Sequence, residues 1–180
     1  MKKRFAYLIS FFVALVLIFL VQKPFFMLYN SAASSDVSWT DYFKVMYHGL
    51  SLDAATAGYL VALPFLAVLV SVWFKRFPLR AVLVGYYALI SLLMAIIFVV
   101  DMGLYPFWKF KLDASIFLYM DSPKNALASV SVGFVLLRVL VMILLAGLTA
   151  WGLYKLTPSH LPATTKKLSG TAGLLVLGGL

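Results

Sequence analysis

Four apolar runs, each of about 20 residues, constrain this chain more than anything else in it: 5–21, 52–74, 81–100 and 131–154. A helix rises 1.5 Å per residue, so about 20 apolar residues cross the roughly 30 Å hydrocarbon core of a bilayer. The first run continues through Gln22-Lys23-Pro24 towards Tyr29, which gives a span over 5–29. A fifth run, 170–180, has only 11 residues and reads as a truncated fifth span. Hydrophobic residues make up 64% of the chain and charged ones 12%, against about 45–50% and about 25% in soluble domains. Too little polar surface is available to cover a water-soluble core. The predicted fold is a single all-α domain, a polytopic membrane helix bundle over 1–180 with one or two interfacial outer helices.

Lys2-Lys3-Arg4 ahead of the first run and Ser31-Ala32-Ala33 after it are features of a cleaved signal. Signal h-regions run about 7–15 residues, and this run is longer, so an uncleaved anchor helix is expected. Positive charge then orients the bundle. With the N-terminus inside, the inner segments hold Lys2, Lys3, Arg4, Lys75, Arg76, Arg80, Lys155, Lys166 and Lys167, and no acid. The outer segments hold Lys23, Lys44, Lys109, Lys111 and Lys124 with all six Asp residues. The net charge of +9 is therefore a topological signal, suited to anionic lipid heads. It lacks the clustered basic face that nucleic acid requires. Cys and Glu are absent, which excludes disulfides and thiolate metal sites.

Both long outer segments carry order. Ser38-Trp39-Thr40-Asp41 is a capping-box-like start, and Trp39, Tyr42, Phe43, Met46, Tyr47 and Leu50 recur at steps of three and four. Asp41, Lys44 and His48 fall opposite, and Gly49 is a natural C-terminal stop. Such a helix should lie in the membrane interface, anchored by Trp39, Tyr42 and Phe43, either simply packing on the bundle or serving as a substrate lid. The second segment clusters Tyr105, Phe107, Trp108 and Phe110 around Pro106, with Lys109, Lys111 and Asp113 following. Amphipathic rings such as Trp108 suit the headgroup level. Ser122-Pro123 is a helix start, and a helix from there is expected to run unbroken into the fourth span. Within that span Arg138 lies about 6 Å below the outer surface. Asp53, at similar depth on the second span, is its expected partner, in either a structural or a functional pair.

HGLSLDAATAGYL at 48–60 and YPFWKFKLDASIFLYMDSPKNALAS at 105–129 resemble the N-terminal membrane domain of the lipoteichoic acid synthase family. The similarity is sharpest at His48-Gly49 with Asp53, at the aromatic-Lys-Leu-Asp-Ala run to Ala114, and at Ser122-Pro123-Lys124. These are sulfatase-like enzymes of the alkaline-phosphatase superfamily. The resemblance implies a multi-pass protein of the bacterial cytoplasmic membrane with a cytoplasmic N-terminus. It also implies an extracytoplasmic catalytic domain beyond residue 180, whose metal-bound Thr or Ser nucleophile acts on phosphoglycerol or related lipid headgroups. The divalent metal would belong to that domain, and no catalytic residue can be carried over to this chain. The expected role here is membrane anchor and lipid-presenting domain for a headgroup transferase or hydrolase. Arg138, Lys109 and Lys111 would attract the phosphate of an anionic phospholipid through charge-assisted contacts, with Asp53 and Asp113 orienting them. The alternative is a self-contained accessory membrane subunit or small transporter. For the latter, the chain shows no internal repeat, and Pro64 is the only mid-span breaker in the second run.

Overall fold

The computed structural model describes residues 2–31, 38–74, 76–108, 131–157 and 167–178. Every element among them is a helix: α1 (Lys2–Tyr29), α2 (Trp39–His48), α3 (Leu50–Trp73), α4 (Leu79–Trp108), α5 (Val132–Leu156) and α6 (Lys167–Gly178). Four of them, α1, α3, α4 and α5, are long and apolar enough to cross a membrane. The chain is a membrane-embedded helical protein. At 12 residues, α6 reaches only about 18 Å and cannot span the core as described here.

Two boundaries differ from the sequence expectation. α4 continues past Val100 through Asp101 to Trp108, with Pro106 inside it. A single carboxylate interrupts the hydropathy pattern without interrupting the i→i−4 hydrogen-bond ladder, so apolar run and helix end in different places. The expected unbroken helix from Pro123 into the fourth span is incorrect. Ser131 is extended, with φ −65° and ψ 144°, and its hydroxyl accepts the Phe134 N–H. Ser131 thus starts a new helix by satisfying one of its orphan donors.

The short connection over 74–78 makes α3 and α4 antiparallel, and Arg4, Arg80 and Lys155 share one end of the bundle. There the Arg4 guanidinium donates to the Val68 carbonyl at 3.1 Å and to the Ser71 hydroxyl. Arg80 bonds the Tyr154 hydroxyl at the same end. The acids Asp53 and Asp101 lie at the other end. The most extensive contacts join α4 to α5 and α1 to α3. The core is richest towards the basic end, where Phe11 packs between Tyr7 and Tyr87 with ring centroids 6.0 and 5.4 Å away. Tyr7 and Tyr87 share a hydroxyl hydrogen bond of 2.5 Å, and Thr157 donates to Tyr87 at 3.0 Å. α6 docks against this end. Trp73 Nε1 donates to Thr171 Oγ1 at 3.1 Å, and Leu174 is fully buried.

α5 stands on the outside of the bundle. Leu136, Leu140, Ile143, Leu144, Leu148 and Trp151 are all more than half exposed. In water such a face would be a liability, but lipid tails are as apolar as leucine, so exposure there costs nothing.

Candidate functional site

Arg138 sits on the second turn of α5, at the acidic end of the bundle. A helical side chain leans towards its own N-terminus, and on α5 that direction is away from the basic end. The guanidinium lies 5.0 Å from the centre of the Tyr29 ring and 4.7 Å from that of Phe134, and it donates to the Tyr29 hydroxyl. Such cation–π contacts are worth about 0.5–2 kcal/mol depending on desolvation. No carboxylate pairs with Arg138 among the described residues. Five N–H donors serve a guanidinium, and among the described residues one bond, to Tyr29, draws on them.

Asp53 is not the partner of Arg138. It pairs with Lys23 of α1, and both side chains are nearly enclosed, at 10% and 14% exposure. The physical reason lies in helix order. α3 packs on α1, while α5 packs on α4 and less extensively on α1, so Asp53 meets the cation of its own neighbour. The pair also explains Gly49. Its φ of −79° is open to any residue, so no left-handed turn demands glycine here. A Cβ at Gly49 would instead stand 2.6 Å from both Lys23 Cε and Nζ. α2 does end there, and a larger residue would make the end of the Lys23 side chain shift.

Beside this pair is a cavity of about 140 Å³ bordered by Gln22, Lys23, Asp53, Asp101, Phe19 and Phe98. Gln22 and Phe98 also wall a larger, almost wholly apolar groove of about 490 Å³ between α1, α4 and α5. On α1 the groove is lined by Leu17, Val21 and Phe25, and on α5 by Val141, Leu145 and Thr149. Each set steps by four residues and so lies on one helix face. One turn further towards the acidic end stand Tyr29 on α1 and Arg138 on α5, the two residues that touch. The Arg138–Tyr29 contact therefore bridges the end of the groove nearer the acids. No family model, curated protein or solved structure matches the chain.

The remaining expected site residues divide between seen and unseen. Trp39, Tyr42 and Phe43 do lie on one short helix, with Trp39 and Phe43 at 76% and 71% exposure. Its start holds the reciprocal half of a capping box, in which Ser38 N–H donates to the Asp41 carboxylate at 3.1 Å. The hydrogen bond from Lys44, 3.1 Å away, together with that from Ser38, holds the Asp41 carboxyl below its ordinary range. Trp108 ends α4, while Lys109, Lys111 and Asp113 lie outside the described residues.

Sequence reasoning passed over Lys23, Tyr29 and Arg4 as site-forming or structural residues. Gln22-Lys23 interrupts an apolar run that resumes at Phe25, and a charge embedded in a span calls for an interior partner. That signal was present. For Arg4, counted as a flanking charge, the fold alone reveals that it is 3% exposed and bound to the last turns of α3. A helix C-terminus carries partial negative charge that welcomes a cation there.

Proposed function

We propose that this chain is the membrane anchor and lipid-presenting domain of a sulfatase-like enzyme that transfers or hydrolyses phospholipid headgroups. The observation that carries the reading is Arg138. Among the described residues its cation is held by two aromatic rings and the Tyr29 hydroxyl, with no carboxylate paired to it, near headgroup depth, where its remaining donors suit a phosphate. A guanidinium takes two phosphate oxygens at once, which fixes the orientation of the bound group as well as its affinity. The partner is accordingly an anionic phospholipid, with Lys109, Lys111 and Asp113 contributing from the adjoining outer segment. Asp53 contributes indirectly, by fixing Lys23 and hence the α1–α3 interface that supports the Tyr29 end. The site faces the extracytoplasmic side of a bacterial cytoplasmic membrane, with the N-terminus in the cytoplasm. The divalent metal and the nucleophile belong to a catalytic domain following residue 180. The resemblance at 48–60 and 105–129 supports this assignment, as does the segregation of basic and acidic residues between the two ends.

The test is reconstitution of the complete gene product in phosphatidylglycerol vesicles with a divalent metal, followed by measurement of headgroup release or transfer. Loss of a charge-assisted hydrogen bond worth about 1.5–3 kcal/mol lowers turnover roughly 10- to 100-fold in Arg138→Gln. Unchanged turnover in a correctly folded Arg138→Gln protein removes Arg138 from the mechanism. No headgroup chemistry in the wild type removes the enzyme reading itself.

A further inference from the structure

The groove between α1, α4 and α5 has the dimensions of a binding site. Its volume of about 490 Å³ falls within the roughly 300–1,000 Å³ usual for ligand pockets. Along α1 the lining runs from Leu17 to Phe25 and along α5 from Val141 to Thr149. Eight residues at 1.5 Å each give about 12 Å on both walls. One leaflet of a roughly 30 Å hydrocarbon core is about 15 Å thick, so the groove matches the reach of a single acyl chain lying along the helices. Gln22 and Thr149 are the polar side chains on a wall otherwise made of aliphatic, aromatic and Met residues. Such a lining suits a hydrocarbon and offers little to a polar solute.

What distinguishes this groove from ordinary lipid-facing surface is the charge at its outer end. Leu17, Val21 and Phe25 continue by the same four-residue step to Tyr29. On the facing wall Val141 is one turn inward of Arg138. The cation stands where the glycerol and phosphate of a lipid would emerge if its chain lay in the groove. We infer that this is a site for one anionic phospholipid, with an acyl chain between α1 and α5 and the phosphate on Arg138. Lipid is thereby held in register at the outer end of the bundle instead of being sampled from the surrounding annulus. The inference rests on the proposed function for its purpose. It does not rest on it for its existence, because lipid occupancy is measurable in this chain without any headgroup chemistry.

The experiment places the 180-residue chain in nanodiscs containing phosphatidylglycerol or phosphatidylcholine that bears a photoactivatable diazirine near the end of one acyl chain. After illumination, labelled residues are mapped by peptide mass spectrometry. The expected result is label concentrated on the groove residues Leu17, Val21 and Phe25 and Val141, Leu145 and Thr149, several-fold above the equally apolar outward face at Ile143, Leu144 and Leu148, and stronger with phosphatidylglycerol. Val21→Trp, which fills the groove, reduces the groove label at least fivefold. Ile143→Trp, on the lipid-facing side, leaves it unchanged. Arg138→Gln abolishes the preference for phosphatidylglycerol while sparing the label from phosphatidylcholine. Label spread evenly over all exposed faces of the wild type indicates annular lipid only and overturns the inference, with no variant needed. Equal labelling by the two lipids overturns the role of Arg138. Groove label together with no headgroup turnover by the complete gene product leaves the site standing and defeats only the enzymatic reading.

Discussion

Replacing Lys23 by Met keeps an unbranched side chain, one atom shorter, but removes the cation that answers Asp53 between α1 and α3. Both groups are nearly enclosed, at 14% and 10% exposure, so water cannot take over the lost interaction in full. Removing one partner of a buried pair costs about 3–5 kcal/mol, mostly as the penalty for the charge left behind. The adjoining cavity of about 140 Å³ is roomy enough for water, at roughly 30 Å³ each, and that screening puts the expected cost near ~3 kcal/mol. Asp53→Asn should cost a similar amount. The double variant Lys23→Met with Asp53→Asn leaves no orphaned charge, and should fall short of the sum by ~1.5 kcal/mol or more. The assay is reversible unfolding in mixed micelles titrated with sodium dodecyl sulfate, followed by far-UV circular dichroism. Additive single costs, or singles within ~0.5 kcal/mol of wild type, would refute the reasoning. The combination of Asp53→Asn with Arg138→Gln is the internal control. Those residues touch different partners, so their effects should add within about 0.5 kcal/mol. Strong coupling would restore the Asp53–Arg138 pair and discredit the helix order described here.

Gly49→Ala should cost no more than about 1 kcal/mol, the low end for overpacking, because the contacting Lys23 tip can shift. The same change should become nearly neutral once Lys23 is Ala, as read by the same unfolding titration. At the basic end, Tyr87→Phe removes the hydroxyl shared by Tyr7 and Thr157 and should cost about 1–3 kcal/mol by stranding buried groups. Tyr7→Phe leaves Tyr87 bonded to Thr157 and should cost less, so equal losses would show that the network is not organised around Tyr87. Asp41 supplies a pH dependence. Its carboxyl titrates below the ordinary value, chiefly because of the hydrogen bond from Lys44 and then that from Ser38. Its contribution to α2 is therefore fully present above the unfolded-state value near ~3.9 and is lost as pH falls through the lower folded value. Hydrogen exchange of the first-turn amides of α2 should accelerate at the acidic extreme in wild type, with no such change in Asp41→Asn.

Length and apolarity alone announced the four spans, because a bilayer admits few ways of hiding backbone polar groups and a helix of about 20 residues is one of them. Charge segregation anticipated which residues would share an end of the bundle. The Ser38–Asp41 start of α2 was legible for an equally local reason, since a cap is made within one turn. Helix ends inside polar sequence were not legible. Asp101 looks like a boundary by hydropathy but lies within α4, and Ser131 becomes a cap only when the chain at its own position is extended.

Partner choice was the part that sequence could not determine. Asp53 and Arg138 lie at matching depths on their helices, and depth is all that counting along a span provides. Which helix stands beside which decides the rest. With α1 against α3, Asp53 meets Lys23, and Arg138 turns to Tyr29 and Phe134. The groove beneath that cation is likewise a product of three helices failing to close on one another. Its residues are mostly aliphatic and aromatic side chains ordinary to each span, and only their convergence makes a site. Sequence determined that this chain lives in a membrane and which residues share an end of the bundle. Tertiary structure determined that Asp53 pairs with Lys23 and that Arg138 meets Tyr29 and Phe134, because pairing energies fall steeply with distance and depend on the lateral neighbour.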